Sequence, residues 1–263
     1  MTEAELLFTQ ILSCDRVSLY LNKKNLLNKR NSSMVSSVLK RRISGEPIQY
    51  VLGKTEFMGF EFKVNKDVFI PRPETEILVE TAVKQYSVVS RQSSVKNILD
   101  LGTGSGCIAI SLAKLLPEVQ ITAVDISEAA LDVARENAKM LEVSEKIAFL
   151  KSNLFESICN NKYALCITNP PYIPSAEVGF LEPEIGYEPL IALDGGIDGL
   201  DFYRRLLRDL PRYIIDGGLL IAEIGFDQKD GLRHLIEESG AFKVVEVVKD
   251  YCTLDRIVVA RKT

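Results

Sequence analysis

From Asn97 to the C-terminus, short apolar runs alternate with longer amphipathic segments, and nothing else in the chain limits its fold so tightly. Runs of four to eight apolar, β-branched residues read as strands, and the stretches between them repeat at helical spacing. Strands are expected at 98–101, 120–124, 147–150, 163–168, 218–224, 242–248 and 256–261. Helices are expected at 107–116, 127–141 with Ser127 as N-cap, 200–213 and 228–239. Such alternation predicts an α/β domain with a mostly parallel sheet covered on both faces. The last two strands are separated only by Asp250–Asp255, which predicts an antiparallel edge hairpin.

The preceding residues have a different grain. Helical spacing of Leu6, Leu7 and Ile11, of Val17 and Leu21, and of Val35, Val38, Leu39 and Ile43 predicts helices over 3–13, 15–28 and 33–44, until Gly45-Glu46-Pro47 breaks the pattern. Residues 48–70 are rich in aromatic and β-branched types and read as a hairpin or two short strands. Pro73 suits the first turn of a helix, and Glu74 and Glu76 favour its positive end. That helix is expected to reach Tyr86, with a polar connection over 87–96. The division is therefore 1–47 as a helical unit, 48–72 as a β-hairpin linker and 73–263 as the main domain. Residues 1–60 carry nine Lys/Arg against five Asp/Glu, whereas the whole chain has a net charge of −4. The larger part is thus acidic, which argues against a general nucleic-acid coat.

No run of about 18 apolar residues is present, so no membrane span is expected. The N-terminus MTEAELLFTQIL lacks a basic region before an apolar stretch, so no signal peptide is expected. Five cysteines without a Cys-x-x-Cys pattern point to free thiols in a reducing, cytoplasmic setting, and no metal site is expected. The one histidine, His234, falls in a helix-like segment and reads as a surface residue.

Chemistry concentrates at four expected strand ends. Gly102-Thr103-Gly104-Ser105-Gly106 follows the first strand and opens a helix, where glycines permit positive φ and close backbone approach to a ligand. The Gly-x-Gly-x-Gly spacing differs from that of dinucleotide binders. Asp125 ends the second strand 23 residues after Gly102. It is placed to accept hydrogen bonds from ribose hydroxyls, or to cap the next helix; beside the glycine turn the ribose reading prevails. Asn153 after the third strand can meet an adenine amine, with Leu154 or Phe155 packing on the ring; Phe155 fits a core position equally well. Asn169-Pro170-Pro171-Tyr172 ends the fourth strand, where two prolines stop further ladder pairing and hold an amide rigidly at the crevice.

Three strand ends converging on one nucleoside, without a phosphate-binding lysine, and a fourth bringing Asn169 to the same crevice resemble the class I S-adenosylmethionine-dependent methyltransferases. Asn-Pro-Pro-Tyr at this place resembles the subgroup that methylates planar nitrogens. Gly45-Glu46-Pro47-Ile48-Gln49-Tyr50, Phe69-Ile70-Pro71-Arg72-Pro73-Glu74-Thr75-Glu76, Asn169–Pro174 and Ala192–Leu200 are similar to the HemK/PrmC family of peptide-chain release factor glutamine N5-methyltransferases. The resemblance runs from residue 45 to Glu223-Ile224-Gly225. It implies a Rossmann-like seven-stranded sheet with a small N-terminal helical domain. It also implies S-adenosyl-L-methionine as cofactor, S-adenosyl-L-homocysteine as product, and the glutamine of the Gly-Gly-Gln motif of class 1 release factors as acceptor. Gly102, Thr103, Gly104, Ser105, Gly106, Asp125, Asn153, Leu154 and Asn169 would hold the cofactor. Asn169, Pro170, Pro171 and Tyr172 would hold the acceptor, with Asn169, Pro170 and Tyr172 catalytic. The chain departs from the family pattern at Asn153-Leu154, where Asp followed by an aromatic is common.

Two rivals share parts of this pattern. An adenine-N6 methyltransferase acting on DNA or RNA can use the same turn, but the acidic catalytic half and the lack of a basic target-recognition segment oppose it. A non-catalytic cofactor-binding interaction module would not need Asn169 and Tyr172. The acids of the long loop 173–199 (Glu177, Glu182, Glu184, Glu188, Asp194, Asp198) are expected either to line an acceptor entrance or to be merely solvated. The helical unit is expected to dock the acceptor protein or to brace the main domain.

Overall fold

The computed structural model describes residues 2–21, 27–92, 95–159 and 161–263. Three helices open the chain, α1 (Glu3–Leu12), α2 (Arg16–Leu21) and α3 (Lys29–Ile43). Thr2 caps α1 in a reciprocal box with Glu5. The part of the expected 15–28 helix at 22–26 lies outside the described residues. Ile48–Leu52 is helical (α4), not extended as its composition predicts. Pro47 starts this turn, Gly53 closes it at φ +73°, and the buried Tyr50 donates its hydroxyl to the Val68 carbonyl at 2.5 Å.

The hairpin is therefore shorter than expected: β1 (Lys54–Phe57) and β2 (Phe60–Lys63). Its two-residue turn, Met58-Gly59, has positive φ at both positions, which matches strand twist. The hairpin is anchored to the main domain. Asn137, fully buried, accepts from the Lys63 N–H at 2.7 Å and donates to the carbonyls of Lys63 and Ser105. One side chain thus ties the hairpin to the glycine turn.

The main domain runs α5 (Pro73–Gln92), β3 (Asn97–Leu101), α6 (Cys107–Leu115), β4 (Gln120–Asp125), α7 (Glu128–Met140), β5 (Ile147–Lys151), β6 (Tyr163–Thr168), α8 (Ser175–Val178), α9 (Asp201–Asp209), β7 (Ile214–Glu223), α10 (Lys229–Glu238), β8 (Phe242–Lys249) and β9 (Asp255–Lys262). α5 outlasts the expected stop at Tyr86 because Leu78, Ala82, Tyr86 and Val89 continue one buried stripe. β7 starts four residues early. Ile214 pairs with Tyr163 before a register shift, and a β-carbon on Gly218 would come within 2.9 Å of the Ala164 carbonyl.

The seven strands lie in the order β5-β4-β3-β6-β7-β9-β8. The first five are parallel neighbours, and β9 pairs antiparallel with both β7 and β8. Alternate residues feed two cores. Ile98, Leu165, Ile167 and Ile221 pack with α5 and α6, while Leu99, Leu101, Cys166 and Leu220 pack with α9 and α10. All six residues of β6 are buried, as a central parallel strand requires. Strand order reverses between β3 and β6. In an open α/β sheet that reversal opens a crevice at the carboxyl ends of the strands.

His234 is exposed on α10 beside Glu238, 3.2 Å away. Among the described residues no helix is long and apolar enough to cross a membrane.

Candidate active site

A cavity of about 560 Å³ opens at this reversal point. Its wall includes Gly102–Ser105 after β3, Asp125 at the end of β4, Asn153-Leu154 after β5 and Asn169–Tyr172 after β6. Leu101 and Thr168 are paired across β3 and β6, and the Thr168 hydroxyl donates to the Leu101 carbonyl at 2.7 Å. The glycine turn and the Asn-Pro-Pro-Tyr turn are therefore the next residues on two adjoining strands.

Gly102, Gly104 and Gly106 all have positive φ. The N–H groups of Gly102 and Thr103 both donate to the Val124 carbonyl, at 2.8 and 2.9 Å. A β-carbon at Gly104 would meet nothing within 4 Å, so the turn leaves space on that side. Gly106 lies outside the cavity wall. A β-carbon there would lie 2.9 Å from Ile110 and 3.0 Å from Ala134, so its bareness serves helix packing. Asp125 accepts from the N–H groups of Gly104 (2.8 Å) and Ser127 (2.9 Å). Burial pushes its pKa up and those donors oppose the rise. Ser127 is the N-cap of α7, donated to by the Ala130 N–H. Beneath the turn Asp100 is fully buried, takes the Thr103 hydroxyl at 2.6 Å and is pushed up to about 7 by desolvation.

The amide turn is held from three sides. Asn169 Nδ2 donates to Thr75 Oγ1 at 3.0 Å, and Thr75 Oγ1 donates to Glu223 Oε2 at 2.8 Å. Tyr172 donates its hydroxyl to Glu223 Oε1 at 3.3 Å, and the Gln228 side chain donates to the Tyr172 carbonyl at 2.7 Å. Among the described residues none donates to the Pro170 carbonyl. Glu223, at the end of β7, is buried and pushed up to about 7 by desolvation. The same burial raises Tyr172. Thr75 and Glu223 fall within the family-like stretches 69–76 and 223–225, where no site role is expected of them. The available signal was a carboxylate closing an otherwise apolar strand, Leu219-Leu220-Ile221-Ala222-Glu223.

Loop 173–199 folds back onto the turn through Ile173, whose N–H donates to the Leu193 carbonyl and whose own carbonyl accepts from Gly195. Four of its six acids are occupied within the protein. Glu184 pairs with Arg42, and the buried Glu188 pairs with Arg72 and accepts the Ile70 N–H at 3.0 Å. Asp194 accepts from Ser175 at 2.6 Å and Asp198 pairs with Arg204. Those four are therefore fastenings of the loop. Glu177 and Glu182 are exposed.

The adenine-side expectations divide. Phe155 is in the core, stacked on Tyr213 at 4.7 Å between ring centroids, whereas Leu154 lines the cavity at φ +54°. Asn153 also lines it, but its Nδ2 donates to Glu156 at 2.8 Å and its Oδ1 accepts from Arg205 at 2.5 Å.

Comparison with known proteins bears on what such a site does. Residues 73–180 match the methyltransferase small domain family, and residues 1–53 match the PrmC N-terminal domain family. The release factor glutamine methyltransferase of Thermodesulfovibrio yellowstonii is 38% identical over 262 residues, covering 99% of this chain and 92% of that protein. The release factor glutamine methyltransferase of Geobacter sulfurreducens is 38% identical over 260 residues, covering 98% and 88%. Among solved structures, a methyltransferase from Pyrococcus furiosus superposes with a TM-score of 0.58 at 16% identity, over 86% of this chain and 98% of that one. At that identity the likeness speaks to fold alone.

Proposed function

Because this chain belongs to the release factor glutamine methyltransferase family, we propose that it transfers a methyl group from S-adenosyl-L-methionine to a glutamine side-chain nitrogen. The acceptor is the glutamine of the Gly-Gly-Gln motif in class 1 peptide-chain release factors. When bound, the cofactor supplies a methyl group on a positively charged sulfur. The cavity fits such a molecule. The glycine turn leaves open space at Gly104, Asp125 presents acceptors suited to ribose hydroxyls, and Leu154 and Ile126 offer apolar surface to a flat base.

A carboxamide nitrogen is a poor nucleophile because its lone pair is delocalised into the carbonyl. What the protein can contribute is orientation and correctly placed acceptors. In this reading Asn169 Oδ1 and the Pro170 carbonyl accept the two N–H groups of the incoming amide and aim its nitrogen at the methyl carbon; once the new carbon–nitrogen bond has formed, the methylated cation sheds one of these protons to solvent. Tyr172 stacks on the flat amide. The observation that carries the reading is the Asn169–Thr75 hydrogen bond. It commits Nδ2 to the protein and leaves Oδ1, the acceptor that an amide N–H requires.

Residues 1–47 and the loop 173–199 make the docking surface for the release factor in this reading. Phe180 and Ile197 on the loop are 90% and 91% exposed and would be covered by the bound release factor. The helical unit adds an apolar groove between α1 and α3, lined by Leu7, Phe8, Ile11 and Val38. In this reading the reaction involves no membrane and no direct nucleic-acid substrate, and the setting is cytoplasmic.

The test offers labelled S-adenosyl-L-methionine with a release factor, with the same factor carrying a substitution at the Gly-Gly-Gln glutamine, and with nucleic acid. Label on the first alone is expected. Label on nucleic acid alone overturns the proposal.

A further inference from the structure

We propose that Thr75 and Glu223 are positioning residues that fix which end of the Asn169 amide faces the acceptor, through one directed chain of hydrogen bonds from Asn169 to Thr75 to Glu223. The inference rests on the reading of Asn169 given above and adds two residues to it, from α5 and β7.

An asparagine amide has nearly the same shape when its oxygen and nitrogen exchange places. Packing alone therefore cannot choose which one faces the cavity. Hydrogen-bond polarity can. Thr75 Oγ1 lies 3.0 Å from Asn169 Nδ2 and 2.8 Å from Glu223 Oε2. A hydroxyl has one proton to give and can also accept. When Glu223 is ionised its carboxylate only accepts, so it accepts the hydrogen bond that the Thr75 hydroxyl donates. Thr75 is then an acceptor alone towards Asn169, and only Nδ2 can satisfy it. Oδ1 is left for the ligand. Reversing the amide would set two acceptors against each other beside a cavity wall, at the cost of an unpaired polar contact.

Burial, the largest influence, and Glu74 on α5 push Glu223 up to about 7, while the Thr75 and Tyr172 hydroxyls and Arg256 on β9 oppose that rise, so the carboxylate carries its charge above about 7 and the chain is directed there. The Tyr203 hydroxyl on α9 donates to the Glu223 backbone carbonyl at 2.5 Å and pins the strand end. Glu223 Oε1 accepts from Tyr172, so both polar side chains of the Asn-Pro-Pro-Tyr turn end on one carboxylate. Glu223 is outside the cavity wall and Thr75 is on it, so Glu223 acts only through its neighbours.

Thr75→Val preserves the branched shape and removes the hydroxyl; Thr75→Ser preserves the hydroxyl and removes a methyl. Methyl transfer is measured together with cofactor affinity by calorimetry. Thr75→Val is expected to lower kcat roughly 10- to 100-fold with KM and cofactor Kd little changed, while Thr75→Ser restores kcat to within about threefold of the parent. Glu223→Leu is expected to lower kcat comparably, and combining it with Thr75→Val to add little, since both break one chain. Side-chain amide NMR of Asn169 gives a readout free of turnover: a single protected NH₂ pair in the parent and Thr75→Ser, and loss of protection in Thr75→Val. Equal kcat in Thr75→Val and the parent, or full additivity of the two losses, overturns the proposal. If the parent labels an acceptor other than the release-factor glutamine, the reading of the acceptor fails. The Ser/Val contrast measured on that other acceptor still decides the role of Thr75.

Discussion

The α-carbon of Gly199 lies so close to the Tyr172 carbonyl that a β-carbon there would stand 2.2 Å from the oxygen. Gly199 also has φ +74°. A β-carbon on Gly195 would lie 2.8 Å from the Tyr172 α-carbon. The far end of loop 173–199 is thus packed directly against the backbone of the amide turn. Gly199→Ala is expected to destabilise the protein by about 2–4 kcal/mol, since backbone has to move and the residue is strained in addition. Because the moved backbone is that of Tyr172, methyl transfer should fall further than cofactor affinity. Thermal unfolding and calorimetry on the variant check both parts.

Asn169 and Asp125 lie on the same cavity but serve opposite ends of the proposed reaction. Asn169→Ala is expected to abolish turnover with little loss of cofactor affinity. Asp125→Ala is expected to weaken cofactor binding first, roughly 10- to 100-fold, the scale of a lost hydrogen bond to a charged group. Asp125 also holds the N–H groups of Gly104 and Ser127, so its loss loosens the glycine turn too. Calorimetric Kd and single-turnover rates for both variants separate the two effects. An active Asn169→Ala enzyme would sink the mechanism.

Strand and helix periodicity made the main domain legible, because a buried parallel strand such as Tyr163–Thr168 must be apolar throughout and its neighbours must cover it. The glycine turn, Asp125 and the amide turn were legible for a related reason. Each sits at a strand end, where a parallel sheet opens its crevice. What escaped was tertiary. Thr75 reads as one more residue in the first turn of a helix, and only folding brings it beside Glu223, 148 positions away. The acids of loop 173–199 looked alike in sequence, yet Arg42 and Arg72 claim Glu184 and Glu188 from distant parts of the chain. Ile48–Leu52 carried β-forming residues, but Pro47 and Gly53 enclose a single helical turn, and local punctuation outweighed side-chain preference.

Asp100 predicts an unusual response to pH. It is fully buried, and its pKa is pushed from the ordinary 3.8 up to about 7 by desolvation. A folded value above the unfolded one means the native state binds the proton more tightly. The stability from this group is complete below its ordinary value and is lost as pH rises through about 7. Glu223, also pushed up to about 7, has the same sign. Asp198, held at about 2 chiefly by its hydrogen bond from Arg204, titrates below this window. The parent protein should therefore gain stability as pH falls from about 8 to about 5. Asp100→Asn keeps an oxygen for the Thr103 hydroxyl, should flatten the slope partly, and should exceed the parent in stability at the alkaline end. Urea midpoints across that range check the sign; a steeper slope in the variant contradicts it.

Arg42 joins the helical unit to the cavity loop. Its guanidinium pairs with Glu3 on α1 and with Glu184 on the loop, and donates to the Glu46 carbonyl at 3.0 Å. Nearby the Tyr187 hydroxyl donates to the Ser44 carbonyl at 2.6 Å. Both carboxylate partners are well exposed, so the global stability at stake in Arg42→Ala is small, below about 1 kcal/mol. The geometric consequence is larger, because the same loop carries Phe180 and Ile197 and, through Ile173 and Gly195, is stitched to the amide turn. If the helical unit and the loop bind the release factor as one surface, loosening their junction makes the protein pay ordering entropy on binding. Arg42→Ala should then raise KM for the release factor roughly 3- to 10-fold, with kcat and cofactor affinity near those of the parent. A fall in kcat at unchanged KM would instead place Arg42 in the support of the amide turn.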